Sequence, residues 1–115
     1  MPDLTSEKLR KMLGMEVPAT DPVTVDVTDS SLRNGVRCDE VRLGARHLTA
    51  ICLTPEDVAP SGLGVLYCHA HGNRPEIGKA ELTEGRPALC DPPLGLALAR
   101  AGAIVRCVDM PCFGA

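Results

Sequence analysis

The chain has 115 residues, room for one small domain, and a formal net charge of −3 with both signs interspersed, so it offers no basic surface of the kind nucleic acid or anionic lipid needs. Aromatic residues make up 2% and Trp is absent, which leaves a core to be built from Leu, Val, Ala, Ile, Met and Cys. No stretch approaches the roughly 18 apolar residues of a membrane span.

The start, Met1-Pro2-Asp3-Leu4-Thr5-Ser6-Glu7-Lys8, carries charges where a signal peptide needs an apolar run, and a cytoplasmic location is expected. Thr5 or Ser6 can cap a short helix with Leu9, Met12 and Leu13 on one face and Gly14 as its stop. Glu16 to Pro22 reads as a linker, so residues 1–22 form an N-terminal helix and linker and residues 23–115 the folded unit. Val23, Val25 and Val27 alternate with Thr24, Asp26 and Thr28, the period of a half-buried strand. Asn34-Gly35 signals a type I′ turn, because both central positions need positive φ. It leads into a strand from Val36 to Leu43, with Val41 and Leu43 on one face. Gly44-Ala45-Arg46 then turns the chain into a third strand, His47 to Leu53. These pieces predict an antiparallel meander.

Thr54 to Gly62 is a polar surface loop. Val65, Leu66, Tyr67 and Cys68 are apolar without alternation, as expected of a strand covered on both faces. Asn73 to Asp91 reads as a long irregular segment, and such loops are usually functional or cover something. Asp91 can cap a helix with Pro92 at its first position, a stripe of Leu94, Ala97, Leu98 and Ala101, and Gly102 at C′. Ala103 to Asp109 is a second buried strand. Strand, helix and strand make a βαβ unit, so the two strands should be parallel. Of the six cysteines, Cys52, Cys68 and Cys107 sit within apolar runs and none is regularly spaced; reduced thiols used as small core hydrophobes fit this pattern.

Three segments carry a resemblance: His69-Ala70-His71-Gly72-Asn73, Glu81-Leu82-Thr83-Glu84-Gly85-Arg86-Pro87-Ala88-Leu89, and Val108-Asp109-Met110-Pro111-Cys112-Phe113-Gly114. Together they resemble the α/β-hydrolase superfamily, nearest its dienelactone hydrolase and acetyl-esterase branch. The resemblance covers roughly residues 23 to 115, the first four strands of an eight-stranded plan. It implies a partial α/β-hydrolase fold: an N-terminal antiparallel meander followed by a parallel βαβ unit. It also implies that the loop after the third strand of that plan donates a backbone N–H to the oxyanion of a tetrahedral intermediate. On this sequence the corresponding positions are His71, Gly72 and Asn73, where glycine lets the backbone approach the developing charge. The competing bland reading has Gly72 permitting a tight turn and His71 packed and hydrogen-bonded.

The chemistry that should follow is missing. No Ser has Gly at both −2 and +2, as the strained nucleophile turn requires. Met110-Pro111-Cys112-Phe113-Gly114 comes nearest, but Met110 replaces the first glycine, and Cys112 is not taken as a nucleophile. Asp109 ends its strand, yet the resemblance places the catalytic acid after the nucleophile, so Asp109 is read as a brace for the neighbouring loop. No residue is therefore assigned as catalytic. Cys68-His69-Ala70-His71, with Cys90 or Cys107, hints at a metal site, but in a strand Cys68 faces away from both histidines, and no metal or other cofactor is expected. Gly62-Leu63-Gly64 precedes its strand and cannot be a dinucleotide loop.

The expected function is that of an N-terminal fragment of a carboxylic-ester or lactone hydrolase. It would contribute the oxyanion loop to a small-molecule ester substrate and be inactive alone, without nucleic-acid or membrane partners. In the family's plan the fourth strand lies between the second and third, so Val65 to Cys68 should form an unprotected sheet edge. A second copy or a partner chain would complete it. The alternative is a non-catalytic interaction module completed by a partner chain. A third possibility, a small metal- or thiol-based redox protein, would rest on zinc or a strongly acidic thiol.

Overall fold

The structure is a computed structural model that describes residues 5–14, 22–44, 48–89 and 91–114. Most of the linker, Ala45 and Arg46 of the second turn, His47 at the expected start of the third strand, and Cys90 lie outside the described residues.

Helix α1 (Ser6–Met12) starts where Thr5 accepts from the Lys8 N–H at 3.3 Å, and Gly14 follows it at φ 65°. None of its residues is buried. Strands β1 (Val25–Arg33) and β2 (Val36–Leu43) form a hairpin closed by Arg33 opposite Val36. Between them Asn34 and Gly35 take φ 47° and 78°, the paired left-handed conformation a type I′ turn demands. Strand β3 (Leu48–Pro55) runs antiparallel to β2, so the meander is present.

Strand β4 (Gly64–Tyr67) is followed by a 3₁₀ turn (Gly78–Ala80), helix α2 (Glu81–Glu84), helix α3 (Leu94–Arg100) and strand β5 (Ile104–Val108). The sheet order is β1-β2-β3-β5-β4. β5 therefore inserts between β3, to which it is antiparallel, and β4, to which it is parallel. The result is a mixed five-stranded sheet with helices, an α/β arrangement.

One face of the sheet carries the main core, while Val41 and Ala50 are buried on the other. Val36 and Cys38 of β2, Ile51 and Leu53 of β3, and Val105 and Cys107 of β5 pack with Leu82 of α2 and Leu96 and Ala99 of α3. Val65 and Tyr67 of β4 join this cluster half-buried. Gly95 sits directly against Leu82, and this contact brings α3 close to α2. On the opposite face Val25, Val27 and Leu66 remain 58%, 60% and 72% exposed.

Four sequence expectations need correction. β1 is exposed along its whole length: it is an outer strand, α3 packs mainly over β2, β3 and β5, and Val25 and Val27 lie on the face away from the helices. β4 is covered on one face only: it is the other outer strand, and Leu66 points away from the helices. The Asn73–Asp91 segment is not irregular throughout but folds into the 3₁₀ turn and α2, where Glu81, Leu82 and Thr83 are buried. Helix α3 starts after Pro93, with no side-chain cap from Asp91, and buries Gly95, Leu96 and Ala99; Leu94 is exposed and Ala97 and Leu98 are half-buried. Gly102 does follow the helix, at φ 100°. Of the cysteines, Cys38 and Cys107 are buried free thiols, whereas Cys68 is exposed just beyond β4.

Leu53 is fully buried at the centre of this core. Leu53→Ala should cost about 2–5 kcal/mol, read as a lowered urea midpoint at unchanged slope.

Candidate functional site

Two loops leave the sheet side by side, at the carboxyl ends of the parallel strands β4 and β5. In open α/β sheets this is where ligands bind. The first loop runs from Cys68 to Arg74, and the second from Asp109 to Gly114.

Within the first loop, the Arg74 N–H donates to the His71 carbonyl at 3.1 Å, with Gly72 and Asn73 both at φ 52°. This is again a type I′ geometry, so the sequence pair Gly72-Asn73 is used as a tight turn. A Cβ at Gly72 would stand 2.8 Å from Nη1 of Arg86, so close approach as well as φ calls for glycine there. The Asn73 N–H donates to Nδ1 of His71 at 3.1 Å, and that bond leaves the ring's proton on Nε2. Among the described residues the Gly72 N–H meets no acceptor, and the turn is exposed to solvent.

Phe113 joins the two loops. Its ring lies 4.9 Å from that of His69 and 5.2 Å, edge-on, from that of His71. His69 Nε2 accepts from the Met110 N–H at 3.1 Å, which places its proton on Nδ1, 3.3 Å from the Ala70 carbonyl. Both histidines thus turn to one side, as their spacing of two implies, and are held by ring contacts and backbone. Cys112 is exposed at φ 70° in a turn closed by the Phe113 N–H on the Met110 carbonyl, with Pro111 before it.

Each loop is braced by a buried carboxylate. Asp109 accepts from the Lys79 N–H, Lys79 Nζ and Thr49 Oγ1, all at 2.7 Å. Burial pushes its carboxyl up, but the Lys79 ammonium, the Lys79 N–H and the Thr49 hydroxyl outweigh that, and the group titrates below its ordinary range. Glu81, only 3% exposed, accepts from Tyr67 Oη at 2.7 Å, from the Ala70 N–H at 3.0 Å and from Arg86 Nε. Burial raises its carboxyl too, and the Tyr67, Arg86 and Ala70 donors bring it below the usual value. Burial and the Glu81 carboxylate push the Tyr67 phenol up to about 12, and burial, with the nearby Asp109 and Glu81 carboxylates, lifts the Cys107 thiol to about 11.

The three residues singled out in the sequence, His71, Gly72 and Asn73, share one turn. The residues that hold it, Tyr67, Glu81 and Arg86, carried no signal of their own: Glu81 and Arg86 fell in a resembling segment without an assigned role. Lys79 and Thr49, the partners of Asp109, were likewise silent.

The energetics of these braces can be checked. Asp109→Asn would leave Lys79, itself only 12% exposed, buried without its counter-charge, at a cost on the order of 3 kcal/mol. Because the folded carboxyls of Asp109 and Glu81 sit below their unfolded values, the unfolded chain takes up more protons near pH 4. Stability should be fully present at neutral pH and fall as pH drops through that range. The fall should be shallower in Asp109→Asn when urea midpoints are measured against pH.

No protein family matches the sequence, and no curated protein does. Among solved structures the chain is similar to acetyl xylan esterase 1 from Thermoanaerobacterium sp. JW/SL YS485. The TM-score is 0.52 at 16% identity, over 84% of this chain and 27% of the esterase chain. The likeness is one of fold, and the chain spans about a quarter of that esterase's length.

Proposed function

We propose that this chain is part of a carboxylic-ester hydrolase and supplies its oxyanion loop through the Gly72 amide, with the nucleophile, acid and base coming from polypeptide outside this sequence. The single observation that carries the reading is the Gly72 N–H, which meets no acceptor among the described residues, in an open turn beyond the carboxyl end of β4. The fold likeness to part of an acetyl xylan esterase supports it, as does the resemblance of the surrounding segments to dienelactone hydrolases and acetyl esterases.

In such a site a carbonyl oxygen gains negative charge as the tetrahedral intermediate forms. A fixed N–H already aimed at it lowers the barrier, and removing one such donor costs about 10²–10³ in rate. The Asn73 N–H is committed to His71 and is the weaker candidate. His71 contributes by holding the turn through the bond its Nδ1 accepts from the Asn73 N–H.

Binding of methylphosphonate, a tetrahedral oxyanion without a leaving group, tests this directly. In a ¹⁵N–¹H titration the Gly72 amide should show the largest shift, and Gly72→Ala should abolish it. Shifts scattered over the surface with Gly72 unmoved would end the proposal. The chain alone should not turn over a short-chain ester, and turnover abolished by Cys112→Ala would show that it carries a nucleophile after all.

A second reading, an interaction module completed by another chain, is favoured by one specific observation. β4 is an outer strand with Leu66 72% exposed, and unprotected edges pair readily. On this reading light scattering at rising concentration shows association that Leu66→Lys reduces.

A further inference from the structure

We infer that Glu81 and Arg86 are positioning residues that clamp Ala70 from both sides and so fix the direction in which the Gly72 amide points. The inference rests on the oxyanion reading above.

Ala70 lies three residues beyond the last residue of β4, where no strand is paired with it. Both of its peptide groups are nonetheless satisfied by side chains. Its N–H donates to Glu81 Oε2 at 3.0 Å, and its carbonyl accepts from Arg86 Nη2 at 2.6 Å. Arg86 Nε in turn donates to the same Glu81 oxygen, and Tyr67 Oη holds the other one at 2.7 Å. The loop is gripped by one closed ring of bonds running through Ala70, Glu81 and Arg86. Arg86 Nη1 then lies directly behind the Cα of Gly72, the next residue but one.

Stability alone is a poor explanation for this arrangement. The Arg86 and Glu81 side chains are 8% and 2% exposed, and a buried ion pair often contributes no more than apolar residues of similar size. What an apolar pair could not do is donate to and accept from the same loop residue. Two opposed bonds on Ala70 remove the rotation of the following peptides that would swing the Gly72 N–H away from the open side of the turn. Lys in place of Arg86 could reach either Glu81 or the Ala70 carbonyl, but its single ammonium lacks the planar fork that meets both.

The test compares the parent chain with Arg86→Gln, Arg86→Lys and the milder Tyr67→Phe, which removes one bond to Glu81 and leaves Ala70 gripped. Val105→Ala serves as a destabilised control outside the loops. Hydrogen exchange at Ala70 should quicken about tenfold or more in Arg86→Gln, with Arg86→Lys intermediate and a smaller rise in Tyr67→Phe. Over the same series the methylphosphonate response of Gly72 should weaken in the same order. Val105→Ala should lower the urea midpoint without weakening that response, a separation that a merely structural role of Arg86 would not produce. If Arg86→Gln does not fold, the graded effects of Arg86→Lys and Tyr67→Phe decide the matter. Parent-like exchange and response in the folded Arg86 variants would overturn the inference and leave the oxyanion reading standing. A parent Gly72 amide indifferent to methylphosphonate would remove both.

Discussion

Backbone that leaves a sheet must find new hydrogen-bond partners, and at the carboxyl ends of β4 and β5 those partners are two buried carboxylates. Glu81 takes the Ala70 N–H beyond β4, and Asp109 takes the Lys79 N–H beside β5. A buried carboxylate without donors would be costly, so each recruits a cation and a hydroxyl: Arg86 with Tyr67, and Lys79 with Thr49. Because the cations come from the segment joining β4 to α3, that segment cannot be slack. It folds back under the loops, and its Leu82 fills the core between α3 and the sheet. The shape of the candidate site and the packing of the core therefore share one origin.

The main core lies on the helical face of the sheet, with Val41 and Ala50 buried on the other, and is made of small pieces. With a single Phe and a single Tyr in the chain, close contact replaces bulk: Gly95 lies against Leu82, and Ala99 and Ala103 are almost fully buried beside Val105 and Cys107. The two aromatic rings are spent near the loops. Tyr67 bridges the core to Glu81, and Phe113 ties the two histidines of one loop to the other.

What the sequence disclosed follows from which forces leave a local mark. The Asn34-Gly35 turn was readable because positive φ restricts residue type at the position itself, and β2, β3 and β5 because their apolar residues recur along the strand. The parallel pairing of β4 with β5 followed from the helix between them. The turn at Gly72 was readable for the same reason as that at Gly35, although its neighbours were not. Glu81 and Thr83 are polar residues in buried positions, so hydrophobic periodicity cannot reveal α2, and its partners Tyr67 and Arg86 lie 14 and 5 residues away. The exposure of β1 and of Leu66 is a property of the whole sheet. Alternation in β1 says which residues share a face, but that this face lies at the sheet's edge and on the side away from α3 is set by the topology.

The strand order has a kinetic corollary. β1, β2 and β3 are neighbours in sequence and can zip together through short turns as soon as they exist. β4 has only β5 as a partner, and β5 lies some forty residues further along. A growing chain must therefore hold β4 unpaired through the synthesis of α2 and α3, then slot β5 between two strands already made. The sheet's middle is its last addition, and the interval before it arrives is when this polypeptide most needs shelter from its neighbours.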